Sequence, residues 1–376
     1  MKFTAQKSEL QKAMLPVTYG VSNVNNPDYK SLLIEVKDDE LIIFSYDLEK
    51  GIKTTIPVSG EKDGKVEADA QKLYAIIGAM DDGELTVETD ENFLIKVTGQ
   101  NTNFQILGKD GSGFPNIPNI EGEFSYKLTK SKIRNMINRT VFSVSNNESN
   151  PIFTGSLFEI EGDKLKIVAI DRNRIAVRCE SVISELSGEP TMTRFVIPGK
   201  AENDLLRIIS DTDEEICVRM TRKHIIFTFD NIYYISRLLE GDFMNYKRLL
   251  SAENRFELTV STKDFLESVS RAAILLESYK NNFLIINLAQ GQMNVSCSTE
   301  FGKVDDVIDS EFIKGEEVLK IGFNHKILID ALRAVSEEKV KLTFNGATNP
   351  IIFSPVKDEE LDDERFLYVV MPVQLR

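Results

Sequence analysis

Residues 156–171, SLFEIEGDKLKIVAID, contain two segments of alternating apolar and polar residues on either side of an acidic, glycine-containing turn. This alternation is typical of a β-hairpin that buries one face. The pattern returns at residues 32–47 (LLIEVKDDELIIFSYD) and 283–299 (FLIINLAQGQMNVSCST). The three hairpins align at Leu41, Leu165 and Met293, with spacings of 124 and 128 residues. A long, weak repeat therefore organises the chain.

Two helices and a second hairpin accompany the first hairpin each time, in the same order. Apolar residues three and four apart predict amphipathic helices at residues 6–18, 69–80, 130–145, 199–210, 262–276 and 324–336. The first helices align at Leu10, Ile133 and Phe265, and the second hairpins begin at Glu84, Glu215 and Lys339. We therefore predict an α+β protein of three similar domains, residues 1–122, 123–253 and 254–376, although unrelated α+β proteins also contain similar hairpins.

Charge is distributed unevenly between the predicted helices and the rest of the chain. The 376 residues include 45 Lys and Arg against 59 Asp and Glu, a net charge of −14 that opposes indiscriminate binding to phosphates. The predicted helices nevertheless hold thirteen basic and seven acidic residues, a surplus of six, which leaves −20 for the strands and loops. In the helix at 130–145, Lys130, Lys132, Arg134 and Arg139 have no acidic neighbour. The pattern indicates loose, sequence-independent contact with DNA, the alternative being an ordinary solvated face.

The sequence contains no recognisable catalytic or metal-binding constellation. The two histidines, His224 in a predicted turn and His325 near a helix start, fit surface or capping roles. Cys179, Cys217 and Cys297 lack the short spacings of zinc or redox sites and indicate buried thiols in a reducing compartment. We expect a non-enzyme without cofactor or metal. With no secretory signal and no apolar run of about eighteen residues, we also expect a cytoplasmic protein that makes no membrane contact.

Seven short motifs follow one another along the chain. They are MKFT at residues 1–4, DGELTVE at 82–88, GFPNIP at 113–118, FTGSLFEIEGDKLKIVAIDRNRIAV at 153–177, EGDFMNYKRLL at 240–250, RAAILL at 271–276 and YVVMPV at 368–373. In this order they resemble the β subunits of bacterial DNA polymerase III, the replicative sliding clamp family, over essentially the whole chain. The resemblance implies the DNA clamp fold and a ring-shaped, head-to-tail homodimer whose helices line a central hole.

The resemblance also assigns residues to three surfaces. The residues expected to face DNA are Lys12, Lys72, Lys132, Arg134, Arg139, Lys200, Arg207, Lys326 and Arg333. Those expected to form a pocket for partner peptides between the second and third domains are Phe153, Ile170, Arg174, Ile175, Met244, Arg248, Leu249, Val369, Met371, Pro372 and Val373. Those expected at the dimer interface are Phe104, Ile106, Ile274 and Leu275. Departures from the family motifs at Arg172, Asn173, Met244 and Gln374 bear on which peptides the pocket prefers.

The function that the resemblance implies is that of a processivity factor, which encircles duplex DNA and tethers the replicative polymerase. The implied partners are double-stranded DNA, a second copy of the chain, the DNA polymerase III alpha subunit, a clamp loader that opens the ring, and other proteins that carry a clamp-binding motif. Two alternatives stay open at this stage. One is a divergent second clamp that serves repair polymerases. The other is a repeat-built scaffold that does not encircle DNA, which the net charge of −14 favours.

Overall fold

The structure, a computed structural model, describes residues 1–21, 30–116, 124–187, 193–247, 255–276, 283–289, 292–315, 318–356 and 365–375. The chain divides into two compact units. The first comprises Met1–Ser131, Ile183–Met192 and Lys200–Leu238, and the second comprises Lys132–Val182, Thr193–Gly199 and Leu239–Arg376. The first repeat therefore belongs to the first unit and the third repeat to the second, while the middle repeat is divided between them.

Each repeat contributes two helices at the places that the apolar spacing predicts. They are α1 (Lys7–Tyr19), α2 (Ala70–Ala79), α3 (Lys130–Asn138), α4 (Gly199–Ile208), α5 (Thr262–Leu276) and α6 (His325–Ala334). The side chain of Asp69 caps the start of α2 by accepting a hydrogen bond from the Lys72 N–H, and Asn324 caps α6 through the Lys326 N–H. Such caps satisfy backbone donors that have no partner inside the helix.

Helix α3 is shorter than its sequence pattern predicts. It ends at Asn138, and Val141–Ser143 form a 3-10 turn. The Thr140 hydroxyl donates to the carbonyl oxygens of Met136 at 2.8 Å and Ile137 at 3.2 Å. A hydroxyl that binds these carbonyls competes with the backbone ladder, which favours the end of a helix. The prediction of a helix that continues to residue 145 is therefore wrong.

Antiparallel β-structure makes up most of the rest. The strands are β1 (Lys2–Gln6), β2 (Ser31–Lys37), β3 (Glu40–Tyr46), β4 (Lys50–Pro57), β5 (Ser59–Lys62), β6 (Gly64–Asp69), β7 (Glu84–Thr89), β8 (Leu94–Thr98), β9 (Asn103–Leu107), β10 (Lys109–Asp110), β11 (Phe124–Thr129), β12 (Gly155–Glu161), β13 (Lys164–Asp171), β14 (Arg174–Ser181), β15 (Glu185–Ser187), β16 (Arg194–Pro198), β17 (Glu215–Met220), β18 (His224–Phe229), β19 (Ile232–Arg237), β20 (Phe256–Ser261), β21 (Phe283–Ala289), β22 (Gln292–Thr299), β23 (Gly302–Ile308), β24 (Ser310–Lys314), β25 (Leu319–Asn324), β26 (Lys339–Phe344), β27 (Ile351–Pro355) and β28 (Phe366–Val370). Strands such as β21 alternate buried and half-buried residues, as a two-residue period requires.

The first unit holds two antiparallel sheets. One has five strands in the order β5-β1-β7-β8-β9, and the other has ten in the order β10-β6-β2-β3-β4-β19-β18-β17-β11-β15. Strand β4 of the first repeat pairs with β19 of the second, so the larger sheet continues through two repeats. Helix α1 packs on α2 and on strands β3 and β4, which places one face of the sheet under the helices.

The second unit repeats this arrangement. Its larger sheet has nine strands in the order β16-β12-β13-β14-β28-β27-β26-β20-β24, and its smaller sheet has four in the order β23-β22-β21-β25. Strand β14 of the second repeat pairs with β28 of the third. Helices α5 and α6 cover a core in which the rings of Phe265 and Phe353 stack at 6.3 Å. Each large apolar side chain buried in this way stabilises the fold by about 1.5–3 kcal/mol.

Burial corrects the expectations for both histidines. His325 is the first residue of α6 and is 1% exposed, so the surface or capping role predicted for it is wrong. Asn324 supplies the cap instead. His224 begins strand β18 rather than lying in a turn. Burial lowers the pKa of His224, and the neighbouring charges of Arg237 and Lys223 lower it further, so this imidazole is neutral at pH 7.

The three cysteines are free thiols in different surroundings. Cys297 is buried, as expected, and burial raises the pKa of its thiol. Cys179 and Cys217 are only partly buried, so the expectation of three buried thiols is wrong for these two. Both of these residues lie on strands, Cys179 on β14 and Cys217 on β17.

Candidate functional sites

The strands that join one repeat to the next occupy equivalent positions. Leu41, Leu165 and Met293, which align in the sequence repeat, lie opposite Ile56, Glu180 and Ile308 on the following strand. Strands β4, β14 and β23 are therefore counterparts in the three repeats. The first two pair with a strand of the next repeat, and these pairings are the joints of the larger sheets.

The strands on the other side of each joint are also counterparts. The aligned strands β7, β17 and β26 lead, through the residues that face them, to Phe104 of β9, Tyr234 of β19 and Tyr368 of β28. Tyr234 lies opposite Ile52, and Tyr368 lies opposite Ala176. Ile52 and Ala176 are equivalent positions of β4 and β14, so the two joints share one register.

The third pair of counterparts, β9 and β23, is not joined within the chain. Each strand lies at the edge of its sheet. Phe104 is only half-buried, whereas Tyr234 and Tyr368 are 0% and 1% exposed. Beside β23, Arg271 of α5 approaches Asp306 at 2.6 Å, and the nearby Ile274 is 74% exposed. An open strand edge with exposed apolar neighbours is a template for pairing with another chain.

The exposed charges of the helices are mainly positive. Nine basic side chains are exposed within the observed helix bounds, against three acidic ones. The basic residues are Lys12, Lys72, Lys132, Lys200, Arg207, Lys263, Arg271, Lys326 and Arg333, and the acidic residues are Glu9, Asp264 and Glu267. Glu202 and Asp204 of α4 are buried. The helix surfaces are therefore more strongly positive than the helix sequences alone indicate.

Lys130 does not contribute to this surface. Its side chain is 1% exposed, and its Nζ lies 2.6 Å from carboxylate oxygens of both Glu214 and Asp230. Burial lowers the pKa of Lys130, but the two carboxylates outweigh this effect and raise the pKa above its usual value. The interpretation of Lys130 as part of an open basic helix is therefore wrong. Its acidic partners lie far along the sequence, where a charge count within the helix does not find them.

A cluster of apolar side chains lies beneath the C-terminal strand of the second unit. Ile170 of β13, Ile175 of β14 and Val369 of β28 are buried in it. Phe153 packs on its margin, with its ring 5.4 Å from the ring of Phe243. Three apolar residues close to these in the chain, Met244, Met371 and Val373, are exposed. The structure thus combines a buried apolar base with exposed apolar side chains.

Hydrogen bonds hold the segment that follows β28. The Met371 N–H donates to the Asn173 carbonyl at 2.9 Å, and the Val373 N–H donates to the Gly322 carbonyl at 2.8 Å. A Cβ atom at Gly322 would lie 2.6 Å from the side chain of Leu375, so a glycine is required for this close approach. The segment therefore lies between the turn after β13 and strand β25. Pro372 between the two hydrogen-bonded residues is half-buried.

Arg174 is engaged within the second unit. Its guanidinium lies 3.0 Å from Asp171 and 2.7 Å from Asp330, and it covers the ring of Phe142 at 5.5 Å. The predicted role of Arg174 in binding peptides stays a prediction. The two carboxylates already compensate its charge, which leaves the apolar residues to supply the attraction for a ligand.

Comparisons with known proteins agree along the whole chain. Family models for the N-terminal, central and C-terminal domains of the DNA polymerase III beta subunit match residues 1–118, 127–245 and 247–374. The chain belongs to the DNA polymerase III beta subunit family. The beta sliding clamp of Staphylococcus epidermidis is 30% identical over 383 residues, which cover 99% of this chain and 97% of that protein. The beta sliding clamp of Halalkalibacterium halodurans is 29% identical over 371 residues, or 98% of this chain and 95% of the relative.

A solved structure extends the similarity to the three-domain clamp fold. The DNA polymerase sliding clamp from Bacillus subtilis superposes with a TM-score of 0.93 at 27% identity, over the full length of both chains. The three matched domains follow the order of the three sequence repeats. The α+β class, the repeats and the resemblance to the beta subunit family are confirmed. The domain boundaries after residues 122 and 253 stay predictions.

The DNA-facing residues predicted from the beta subunit family differ in exposure. Seven are exposed, and Arg134 and Arg139 are half-buried. Arg139 donates to the Asn135 side chain at 2.8 Å and to the Ala334 carbonyl, so it connects the end of α3 with the end of α6. The guanidinium of Arg207 lies over the ring of Tyr19 at 5.5 Å.

Not every residue predicted from the beta subunit family can be placed. Arg248 and Leu249 of the predicted peptide pocket lie outside the described residues. A separate cleft of about 530 Å³ on β12 and β13 is lined mainly by charged residues and contains none of the predicted pocket residues. Among the described residues, no group of three or more His, Cys, Asp or Glu side chains could hold a metal ion. No helix in the described ranges is long and apolar enough to span a membrane.

Proposed function

We propose that two copies of this chain close into a ring around duplex DNA and act as a processivity clamp for a replicative polymerase. The unjoined pair β9 and β23 carries the proposal. The other two pairs of counterparts are joined into continuous sheets. A second copy placed head to tail supplies β9 to the open β23 and β23 to the open β9. Two identical seams then leave neither strand at an edge.

The sizes of the unjoined sheets support this closure. The sheet that ends in β9 has five strands and the sheet that ends in β23 has four. Joined across a seam they make nine strands, the same number as in the sheet that β14 and β28 join inside the second unit. A ring of two chains and six repeats would thus contain six continuous sheets of nearly equal size.

The register of the seam follows from the two internal joints. Because Tyr234 faces Ile52 and Tyr368 faces Ala176, their counterpart Phe104 should face Val304 of the partner subunit. In an antiparallel ladder the next pair outward is Gln105 with Lys303 of the partner subunit. Ile274 corresponds to Tyr19, counted from the aligned Phe265 and Leu10. Tyr19 contacts α4 of the following repeat through Arg207, so Ile274 should lie at the seam as well.

Contact with DNA would come from the exposed basic side chains of the helices. These side chains are spread over six helices and include few aromatic neighbours, which suits loose contact with phosphates rather than recognition of bases. The remainder of the chain carries the negative charge and would repel the duplex. A ring that is held on DNA by topology needs only weak contacts, and weak contacts allow it to move along the duplex.

Partner proteins would bind at the apolar cluster beneath β28. The buried base of Ile170, Ile175 and Val369 and the exposed Met371 and Val373 suit a short peptide with apolar anchors. The partners that the proposal implies are the polymerase alpha subunit, a clamp loader and other proteins with a clamp-binding motif. The clamp itself would be an accessory subunit without catalysis. Its work on chromosomal DNA implies a place in the bacterial cytoplasm.

Engineered disulfides test the ring and its register. Cysteines at Gln105 and Lys303, in a chain with Cys179 and Cys217 changed to Ser, should form covalent dimers on oxidation. Directly opposite residues have Cα atoms about 4.5–5.5 Å apart, within the range of a disulfide. The matched control pairs Gln105→Cys with Asp305→Cys. This diagonal pair lies about 7–8 Å apart and should cross-link poorly. Equal cross-linking by both pairs, or by neither, would contradict the proposed seam.

A further inference from the structure

An ion pair reinforces each of the two joints between repeats. At the first joint, Lys50 at the start of β4 contacts Asp204 of α4. At the second, Arg174 at the start of β14 lies 2.7 Å from Asp330 of α6. In both cases the cation belongs to one repeat and the carboxylate to the helix of the next repeat. The two pairs therefore connect consecutive repeats through their side chains, in addition to the backbone ladder.

The two ion pairs are equivalent in the repeat. Lys50 and Arg174 are the first residues of the counterpart strands β4 and β14. Asp204 and Asp330 are each the sixth residue of their helices, α4 and α6, which both follow directly on a strand. The identity of the cation differs, but its position and its partner do not. The repeat thus preserves a charge contact that neither hairpin motif contains.

The proposed seam lacks both members of this pair. The first residue of β23 is Gly302, and the sixth residue of α2 is Ala75. The second contact of the first joint, Arg207 over Tyr19, is replaced as well, because the counterparts are Gly78 and Ile274. Small and apolar residues therefore stand where each internal joint has a charge contact.

We propose that this ion pair is a lock that distinguishes the permanent joints inside the chain from the separable seams between subunits. The inference rests on the proposed ring. All three joints would share the same backbone ladder, so the lock is the difference that favours separation at the seams. The side chains of Lys50 and Asp204 are 17% and 8% exposed. Removing one partner of such a pair leaves the other charge poorly compensated, and the joint then opens more readily.

Amide hydrogen exchange of the intact dimer tests the lock. In the unaltered protein, amides of β9 and β23 should exchange faster than those of β4, β19, β14 and β28. Lys50→Met should speed exchange in β4 and β19 by at least about tenfold and leave β14 and β28 unchanged. Asp330→Asn should have the opposite pattern. Two joints in one molecule therefore serve as controls for each other.

Glu61→Gln is the matched control for the loss of an ion pair as such. Glu61 pairs with Lys2 at the far edge of the five-stranded sheet, away from every joint, and both side chains are substantially exposed. This variant should leave exchange at all joints unchanged. A direct gain of the lock at Gly302 is not usable, since its φ of 155° strains any other residue.

The possible failures can be told apart by sedimentation of the same samples. A dimer in which Lys50→Met and Asp330→Asn leave exchange at their own joints unchanged would overturn the lock and leave the ring intact. A dimer whose seam amides exchange as slowly as those of the internal joints would do the same. A monomer at the protein concentration of the exchange experiment would overturn the ring, and the lock with it.

Discussion

Strands β19 and β28 lie in the middle of sheets, whereas β9, their counterpart in the first repeat, lies at an edge. The three strands derive from the same part of the repeat and carry an aromatic residue at the same position, Tyr234, Tyr368 or Phe104. The first two rings are buried, and Phe104 is only half-buried. One sequence pattern therefore has two outcomes, which depend on whether a next strand is available.

The difference indicates what kind of surface β9 is. Natural proteins protect exposed strand edges, because such edges pair with other chains. Here the neighbouring Leu107 is also largely exposed, and so is Ile274 beside the other open edge. A strand that is internal in two repeats and open in the third fits a joint that a second molecule completes.

The most direct way to break the comparison is a charge at the proposed seam. Ile274→Asp should weaken the dimer by at least about 2 kcal/mol, because an apolar residue at the centre of an interface would become a desolvated charge. The fold should be unaffected, since Ile274 is exposed in the single chain. Analytical ultracentrifugation measures the dissociation constant. Ile313→Asp, an exposed apolar residue on β24, is the matched control and should leave the dimer unchanged.

The C-terminal segment sharpens the comparison, because the chain continues differently after β28 than after β9. Met371→Ala together with Val373→Ala should weaken a peptide of the polymerase alpha subunit with two apolar anchors by about 1–2 kcal/mol. Fluorescence anisotropy with a labelled peptide measures the affinity. Val356→Ala, another exposed apolar residue of the same repeat, should have no effect. Equal affinity in both variants would exclude the C-terminal segment from the peptide site.

The helices supply a comparison between two sets of exposed lysines. Changing Lys12, Lys72 and Lys200 to Ala should reduce the slope of log affinity for duplex DNA against log salt by about one for each phosphate that the protein no longer neutralises. The control changes Lys37, Lys62 and Lys223, which are exposed on strands and turns, to Ala. Both triple variants change the net charge by the same amount. If both reduce the slope equally, DNA does not prefer the helices.

The smallest expected effect is a pH dependence at the first internal joint. Burial raises the pKa of Asp204 above its ordinary value of 3.8, although Lys50 opposes this shift. The folded carboxyl therefore binds its proton more tightly than the unfolded one, and its contribution to stability falls as the pH rises through this window. Relative to Asp204→Asn, the unaltered protein should lose stability between pH 4 and neutrality. Thermal unfolding at several pH values measures the difference, and a constant offset would contradict it.

The sequence predicts the repeated elements well, because hairpins and helices leave local periodicities. The alignment of Leu41, Leu165 and Met293 corresponds to strands that face their neighbours in the same register. The joints between repeats are not visible in the same way. Pairing of β4 with β19 uses backbone groups that every residue has, so no side-chain pattern records it.

Charge contacts over long sequence distances are the second limit. Lys130 belongs to a helix without acidic residues, yet two carboxylates from other strands and turns bury it. The lock residues, by contrast, could have been found from the sequence. Once the repeats are aligned, Lys50 and Arg174 coincide, and Asp204 coincides with Asp330. A basic residue and an acid that recur together at a spacing of one repeat indicate a contact between repeats.

The central claim is that topology holds the protein on DNA, and one measurement tests it directly. The protein is loaded by a clamp loader onto singly nicked circular DNA, at a salt concentration that screens surface contacts. Retention is then measured before and after the circle is cut. We predict that the protein stays on the circle and dissociates when the DNA is linear. Equal dissociation from circular and linear DNA, with a competent loader, would contradict the account.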